Sequence, residues 1–384
     1  MALPHHRHQS SLEGSLDFSS RPLPLGIELR GYASGRFYDI CQYFDTGLHK
    51  GDYSRPRLIR YTYEYSLSQE SGDHFLRLFF KAVDLQIDKN EPIRFEDVRS
   101  NFFNFAEYLF DNFFLPSNAF PQLKASTKKT PQPSPALHSA ALEAQGGQQY
   151  IGTGPRLSVL RRDCLIRDRH RCVISRVFDL AEADERFDTP GGAQDDDGNP
   201  LENELDDPAY LEVAHILPHS LTQVNREGKL DPSKESALAI LDMFDVGVVD
   251  LIQGPEIDRP RNAITLTPQH HLSFSSFKVY FEPVPNADHT YAIKTFHKQN
   301  YFRRAPFPVI RELYLTPERT IEPPSRRLLA IHCAIAHILH LSRAGEYIDK
   351  IYRDIEEHGV QADGSTPLGR IYRPNLQGKN SQDK

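Results

Sequence analysis

Between residues 101 and 114, apolar side chains recur three and four positions apart: Phe102, Phe105, Leu109 and Phe113. That spacing puts them on one stripe and predicts an amphipathic helix over 101–114. With the apolar runs at 57–65 and 75–80 it completes a helix-rich N-terminal module, 26–115. An aromatic stripe of this kind is core packing first and a base-stacking platform only second. Further along, Ala237, Ile240, Leu241 and Phe244 share one helical face and predict a helix over 234–244. Segments 280–284 and 290–296 read as two strands around the turn Asn286-Ala287-Asp288. Two C-terminal helices are predicted, 325–342 and 344–358. Their histidines, His332, His337 and His340, lack the four-residue spacing of a metal pair and read as packing or surface residues.

The polar stretches divide the chain. Residues 1–25 have no apolar signal core and read as a disordered lead. Residues 116–154 turn to Ser, Pro, Lys, Ala and Gln, the composition of a flexible linker. A central domain is expected over 155–300, interrupted at 181–208 by an acidic insertion with too few apolar residues to fold alone and so expected as a disordered loop. A helical cap, 301–372, and a disordered tail, 373–384, complete the chain. The mixture of strands and helices makes it an α+β protein.

A formal charge of −7 over 384 residues excludes a global basic field, so nucleic-acid binding needs a local basic face. The best candidate is the run Arg161, Arg162, Arg167, Arg169 and Arg171. These arginines fit phosphate contacts that carry no sequence information, and equally a solvated helix with Arg–Asp pairs. Four scattered cysteines with no C-x-x-C pair argue against a disulfide framework and a cysteine-rich zinc finger. The most apolar helix candidate is too short for a membrane span. The expectation is an intracellular protein without membrane contact, with cytoplasm and nucleus not distinguishable.

One ordered set of residues carries chemistry. His215 ends the β-like run Glu212-Val213-Ala214-His215-Ile216-Leu217-Pro218, and Asn262 precedes the run Ala263-Ile264-Thr265-Leu266-Thr267. His271 follows at the start of a helix-like stretch. A strand–loop–strand–helix in this order can bring an imidazole base and an imidazole metal ligand to one pocket, as metal-assisted cleavage of a phosphodiester requires.

These runs, with Phe274, Phe277 and Tyr280-Phe281-Glu282-Pro283 after them and Arg167-Asp168-Arg169-His170-Arg171-Cys172 before them, resemble the HNH nuclease family and within it a fungal branch. The helix at Leu328-Leu329-Ala330-Ile331-His332 and the segment Arg343 to Ile348 resemble the same proteins. The resemblance implies a central ββα-metal (His-Me finger) domain between the N-terminal module and the C-terminal helices. It implies an endonuclease acting on DNA with weak or no sequence preference, using His215 as general base, Asn262 to hold the loop, and His271 as ligand to a divalent cation. Mg²⁺ or Mn²⁺ comes first and Zn²⁺ or Ni²⁺ second. Some relatives carry an added structural zinc; Ser175 stands where a second thiolate would be needed, so none is expected here. Protein partners are unknown.

Two positions depart from the family pattern. Ala214 occupies the place of a metal-binding Asp or His before the base, and Ser275 that of a ligand four residues after His271. Glu212 and Asp258 are the carboxylates available as substitute metal ligands. The departures leave a second expectation open, a non-catalytic HNH-derived protein that binds nucleic acid or a protein partner.

Overall fold

The computed structural model describes residues 24–47, 52–89, 91–118, 154–189, 192–204, 206–222, 232–297 and 307–358. Residues 1–23, 119–153 and 359–384, which hold nearly all of the expected lead, linker and tail, lie outside them. Helices and two small antiparallel sheets make the described fold α+β. Among the described residues no single helix is long and apolar enough to cross a membrane. The chain divides into two compact units: Met1–Pro116 with Pro232–Gly247 and His337–Lys384, and Ser117–Asp231 with Val248–Ala336.

The first unit is helical. Helix α1 (Ile27–Phe44) is followed by α2 (Arg55–Glu64), whose N-cap Ser54 accepts from Arg57 N, and by α3 (Gln69–Ala82), capped by Ser68. Their core is aromatic: Phe37, Phe75, Phe79, Phe102 and Phe105 are fully buried, with edge-to-face pairs such as Phe37–Phe79 at 4.9 Å. Helix α4 (Phe95–Leu109) covers the expected 101–114 segment only in part, because it gives way to a π-helical turn at Phe110–Phe114. The wider turn lets Phe110, Phe113 and Phe114 all reach the interior. The lead also ends sooner than expected: Leu25 N donates to Asp73 Oδ2 (2.9 Å), and Arg30 binds both carboxylate oxygens of the same residue. Helix α7 (Pro232–Asp242), read from sequence as part of 155–300, belongs to this unit, where Phe244 stacks on Phe113.

The second unit begins with α5 (Gly154–Arg167) and carries the hairpin of β1 (Glu212–His215) and β2 (Ala263–Leu266), paired antiparallel with His215 opposite Ala263 and Glu212 opposite Leu266. Side chains alternate along β1. Val213 packs with Leu160 and Cys164 of α5 and with Ala263, so Val213 and His215 leave on that face. Glu212 and Ala214 leave on the other, toward α8 (Pro268–Ser275), which packs on β1 and is capped by Thr267. Beyond α8, β3 (Val279–Pro283), β4 (Thr290–Thr295) and β5 (Val309–Glu312) form a second antiparallel sheet. β5 lies in the stretch that leads to the C-terminal helices: Val309 and Ile310, β-branched residues after Pro308, pair with β4. Helix α9 (Arg326–Leu341) places His332 against Phe274 and Phe277, stacked at 3.9 and 4.6 Å, with Nε2 donating to the Phe274 carbonyl. Burial pushes that imidazole down to about 3. Helix α10 (Ala344–His358), part of the first unit, ends the described chain.

The described residues of the acidic segment 181–208 carry defined structure where the sequence predicts a disordered loop. It opens as α6 (Leu180–Phe187) on an Asp179 cap, and Phe178, Ala183 and Leu201 form a small core beneath it. Its charges are matched from outside the segment and within it: Arg171 binds Asp195 (3.0 Å) and Glu204, Arg169 binds Asp197 (2.9 Å), and Arg186 binds Asp196 (2.6 Å). Asp195 Oδ1 also accepts from Asp197 N and Asn199 N, closing a turn.

Arg167 ties the unit together. Its guanidinium, fully buried, donates to both oxygens of Asp168 (2.8 and 2.9 Å) and to the carbonyls of Pro260 and Ala263 (2.7 and 2.9 Å). Asp168 Oδ2 in turn accepts from Thr265 N (3.1 Å). Removing one partner of a buried pair strands the other charge. Arg167→Met is therefore expected to cost about 3–5 kcal/mol of stability, measured by urea unfolding with a probe in the second unit.

Candidate active site

The two ends of β1 each carry an imidazole or its partner, and a carboxylate backs each imidazole. At the C-terminal end, His215 Nε2 lies 3.1 Å from Asp258 Oδ1. Asp258 sits on a 3₁₀ turn (Gly254–Asp258) with its side chain 2% exposed. Its Oδ2 is buried and has no hydrogen-bond partner among the described residues. A second imidazole, His219 Nε2, lies 3.8 Å from the same Oδ1. At the N-terminal end, His271 Nδ1 of α8 donates to Glu212 Oε2 at 2.7 Å. That bond holds the Glu212 carboxyl below its ordinary range.

Asn262 holds the first of these ends together. Fully buried, it accepts at Oδ1 from Leu217 N (3.0 Å) and donates from Nδ2 to the carbonyls of Leu217 (3.1 Å) and Ile257 (3.0 Å). Its own carbonyl accepts from Ile216 N (2.7 Å), continuing the hairpin past His215. The carboxamide thus binds the turn after His215 to the turn that ends in Asp258. Only an amide, with an acceptor and two donors, satisfies all three backbone groups.

His270 and His271 separate as adjacent helical residues must. His271 projects outward to Glu212. His270 is buried, with Nδ1 2.8 Å from Thr267 Oγ1 and 3.7 Å from Cys172 Sγ, and burial pushes it down to about 4. Cys172 also accepts from Ser175 N (3.4 Å), so the thiol closes a turn.

The expected metal set of His271, Asp258 and Glu212 does not converge. Among the described residues no group of three or more His, Cys, Asp and Glu side chains is placed to hold a metal ion. The reason lies in the pleat of β1: position 214 faces α8, where a ligand would meet His271, but it is a fully buried alanine. Glu212 instead binds His271, and Asp258 binds His215 with His219 close by. His219 lies outside the strand–loop–strand–helix motif, in the 3₁₀ turn (His219–Leu221) after Pro218; standing four residues after His215 is its one signal in the sequence.

The arginine run does not form one basic surface. Arg167 is internal, Arg171 is 12% exposed and doubly paired, and Arg169 is held by Asp197 over the Tyr314 ring. Arg161 donates to the Leu211 carbonyl, and Arg162, the most open at 66%, binds Asp163. Positions on a helix end and its following turn point in several directions, and the acidic segment takes up those that face it.

Two outcomes follow. Asn262→Ala leaves three buried backbone groups unsatisfied at about 1–3 kcal/mol each, so urea unfolding should show a loss of several kcal/mol. His270, lowered from 6.5 to about 4, stays neutral in the folded chain while the unfolded chain takes up a proton. The His270 contribution to stability should thus be full above pH 6.5 and fall by about 3 kcal/mol as pH drops to about 4. His270→Gln should remove that part of the pH dependence from denaturation profiles and leave the part due to His332.

Residues 172–282 match the family model described as HNH endonuclease. The match spans His215, Asn262 and His271 and begins after the arginine run. No curated protein and no solved structure matches the chain.

Proposed function

We propose that this chain is an HNH-type endonuclease that hydrolyses phosphodiester bonds in DNA with a divalent cation. The observation that carries the reading is the pair of carboxylate-backed histidines at the two ends of β1, inside the segment that matches the HNH endonuclease family. In this reading β1, β2 and α8 are the ββα-metal unit.

His215 is the general base. It takes a proton from water as the water oxygen bonds to phosphorus; the P–O3′ bond breaks, leaving a 5′-phosphate and a 3′-hydroxyl once the departing oxygen is protonated. An imidazole is suited to this near neutral pH and contributes about 10²–10⁴-fold. Asn262 keeps the base strand in register. His271 fits a metal ligand because its Nδ1–H is given to Glu212, the arrangement in which metal-binding imidazoles are oriented, and its Nε2 remains to coordinate. Glu212 orients that ligand. A bound Mg²⁺ or Mn²⁺ would neutralise charge on the phosphoryl and leaving oxygens. With so few protein donors, such a cation would need substrate phosphate and water as further oxygen ligands, which a hard cation accepts. The arginines of the 161–171 run are internal, ion-paired or bound to a backbone carbonyl, so binding to DNA is weak and indifferent to sequence.

A second reading, a non-catalytic descendant of the fold that binds nucleic acid or a protein, is favoured by Ala214, Ser275 and the lack of a three-ligand cluster among the described residues. Plasmid nicking decides between them. The full chain should nick supercoiled DNA with Mg²⁺ or Mn²⁺ and stop on chelation. His215→Ala should lower the rate at least about 10²-fold, while His271→Ala should raise the metal concentration needed. Pure protein that never cuts with Mg²⁺, Mn²⁺, Zn²⁺ or Ni²⁺ would establish the second reading.

A further inference from the structure

Asp258 is the least exposed carboxylate at this site, and nothing cationic among the described residues compensates it except imidazoles. His215 Nε2 is 3.1 Å from its Oδ1, His219 Nε2 is 3.8 Å from the same atom, and Oδ2 has no hydrogen-bond partner among the described residues. Buried carboxylates are retained where they are paired or hydrogen-bonded. An ionised carboxylate only accepts, so the nitrogen facing it must bear the proton.

We propose that Asp258 is a positioning residue for His215: it accepts the Nε2–H, fixes the imidazole in the Nε2–H tautomer and leaves Nδ1 as the atom that takes a proton. This rests on His215 being the base of the nuclease reading, and it replaces the expectation that Asp258 is a metal ligand. The second nitrogen of a histidine is set by what the first one meets. When Nδ1 takes a proton from water, the O–H bond breaks, the N–H bond forms, and the imidazolium charge lies against Asp258. That is how a buried carboxylate supports a histidine base elsewhere. His219, farther from the shared oxygen, supports Asp258 and does not set the tautomer of His215.

The test does not need cleavage activity. Long-range ¹H–¹⁵N correlation spectra of the full chain, labelled at histidine nitrogens, read the tautomer directly, with His215→Gln assigning the signal. Neutral His215 is expected as Nε2–H. Asp258→Asn, whose amide can donate to Nε2, should shift the population toward Nδ1–H and lower any nicking by about 10²-fold; His219→Gln should leave the tautomer as in the wild-type chain. A wild-type Nδ1–H tautomer overturns the proposal whether or not Asp258→Asn folds. So does an unchanged tautomer in Asp258→Asn, or an equal shift in His219→Gln. A chain with the expected tautomer that never cuts would leave Asp258 as the partner of His215 and refute the nuclease reading alone.

Discussion

The site depends on one buried carboxamide. Asn262 joins Leu217, two residues past His215, to Ile257, one residue before Asp258, through three hydrogen bonds that no other side chain of its size can make together. His215 and Asp258 meet because these two turns are held in register. Behind Asn262, the Arg167–Asp168 pair grips the backbone of Pro260, Ala263 and Thr265, so that β2 begins where the carboxamide needs it. The cost of burying that ion pair is met by backbone carbonyls that would otherwise lack donors.

Charge is organised the same way on the outside of this unit. The chain is acidic overall, yet its densest acidic stretch is the counter-charge for Arg169, Arg171 and Arg186. Exposed pairs of this kind contribute little singly. As a set they order a segment whose composition alone argues for disorder, and they remove those arginines from any nucleic-acid surface. On the proposed reading, DNA is drawn by local contacts rather than by a broad field.

Much of this was legible in the chain. The order of His215, Asn262 and His271 marks a strand, a loop and a helix, and each stands where that order places it. The apolar periodicities around Phe102 and Ile240 mark helices for the same reason: spacing alone decides a face. What spacing cannot carry is partnership between distant residues. Glu212 and Asp258 were identifiable as carboxylates near the site, but which histidine each would meet depends on the register of β1 against β2 and on the pleat. Arg167 reads as one more arginine in a basic run, and only its place at the end of α5 turns it inward. The π-helical turn at Phe110–Phe114 and strand β5 leave faint local signals, a cluster of aromatics and a Val-Ile pair after proline.

His215 and His271 each have one nitrogen at a carboxylate. On the proposed reading His215 is the one whose loss cannot be replaced by substrate or solvent. The most direct measurement is chemical rescue: metal-dependent DNA cleavage by His215→Gly with and without added imidazole. The account predicts that the substitution abolishes cleavage and that imidazole restores part of it in a concentration-dependent way. Undiminished cleavage by His215→Gly, or no cleavage by the wild-type chain with any divalent metal, would contradict it.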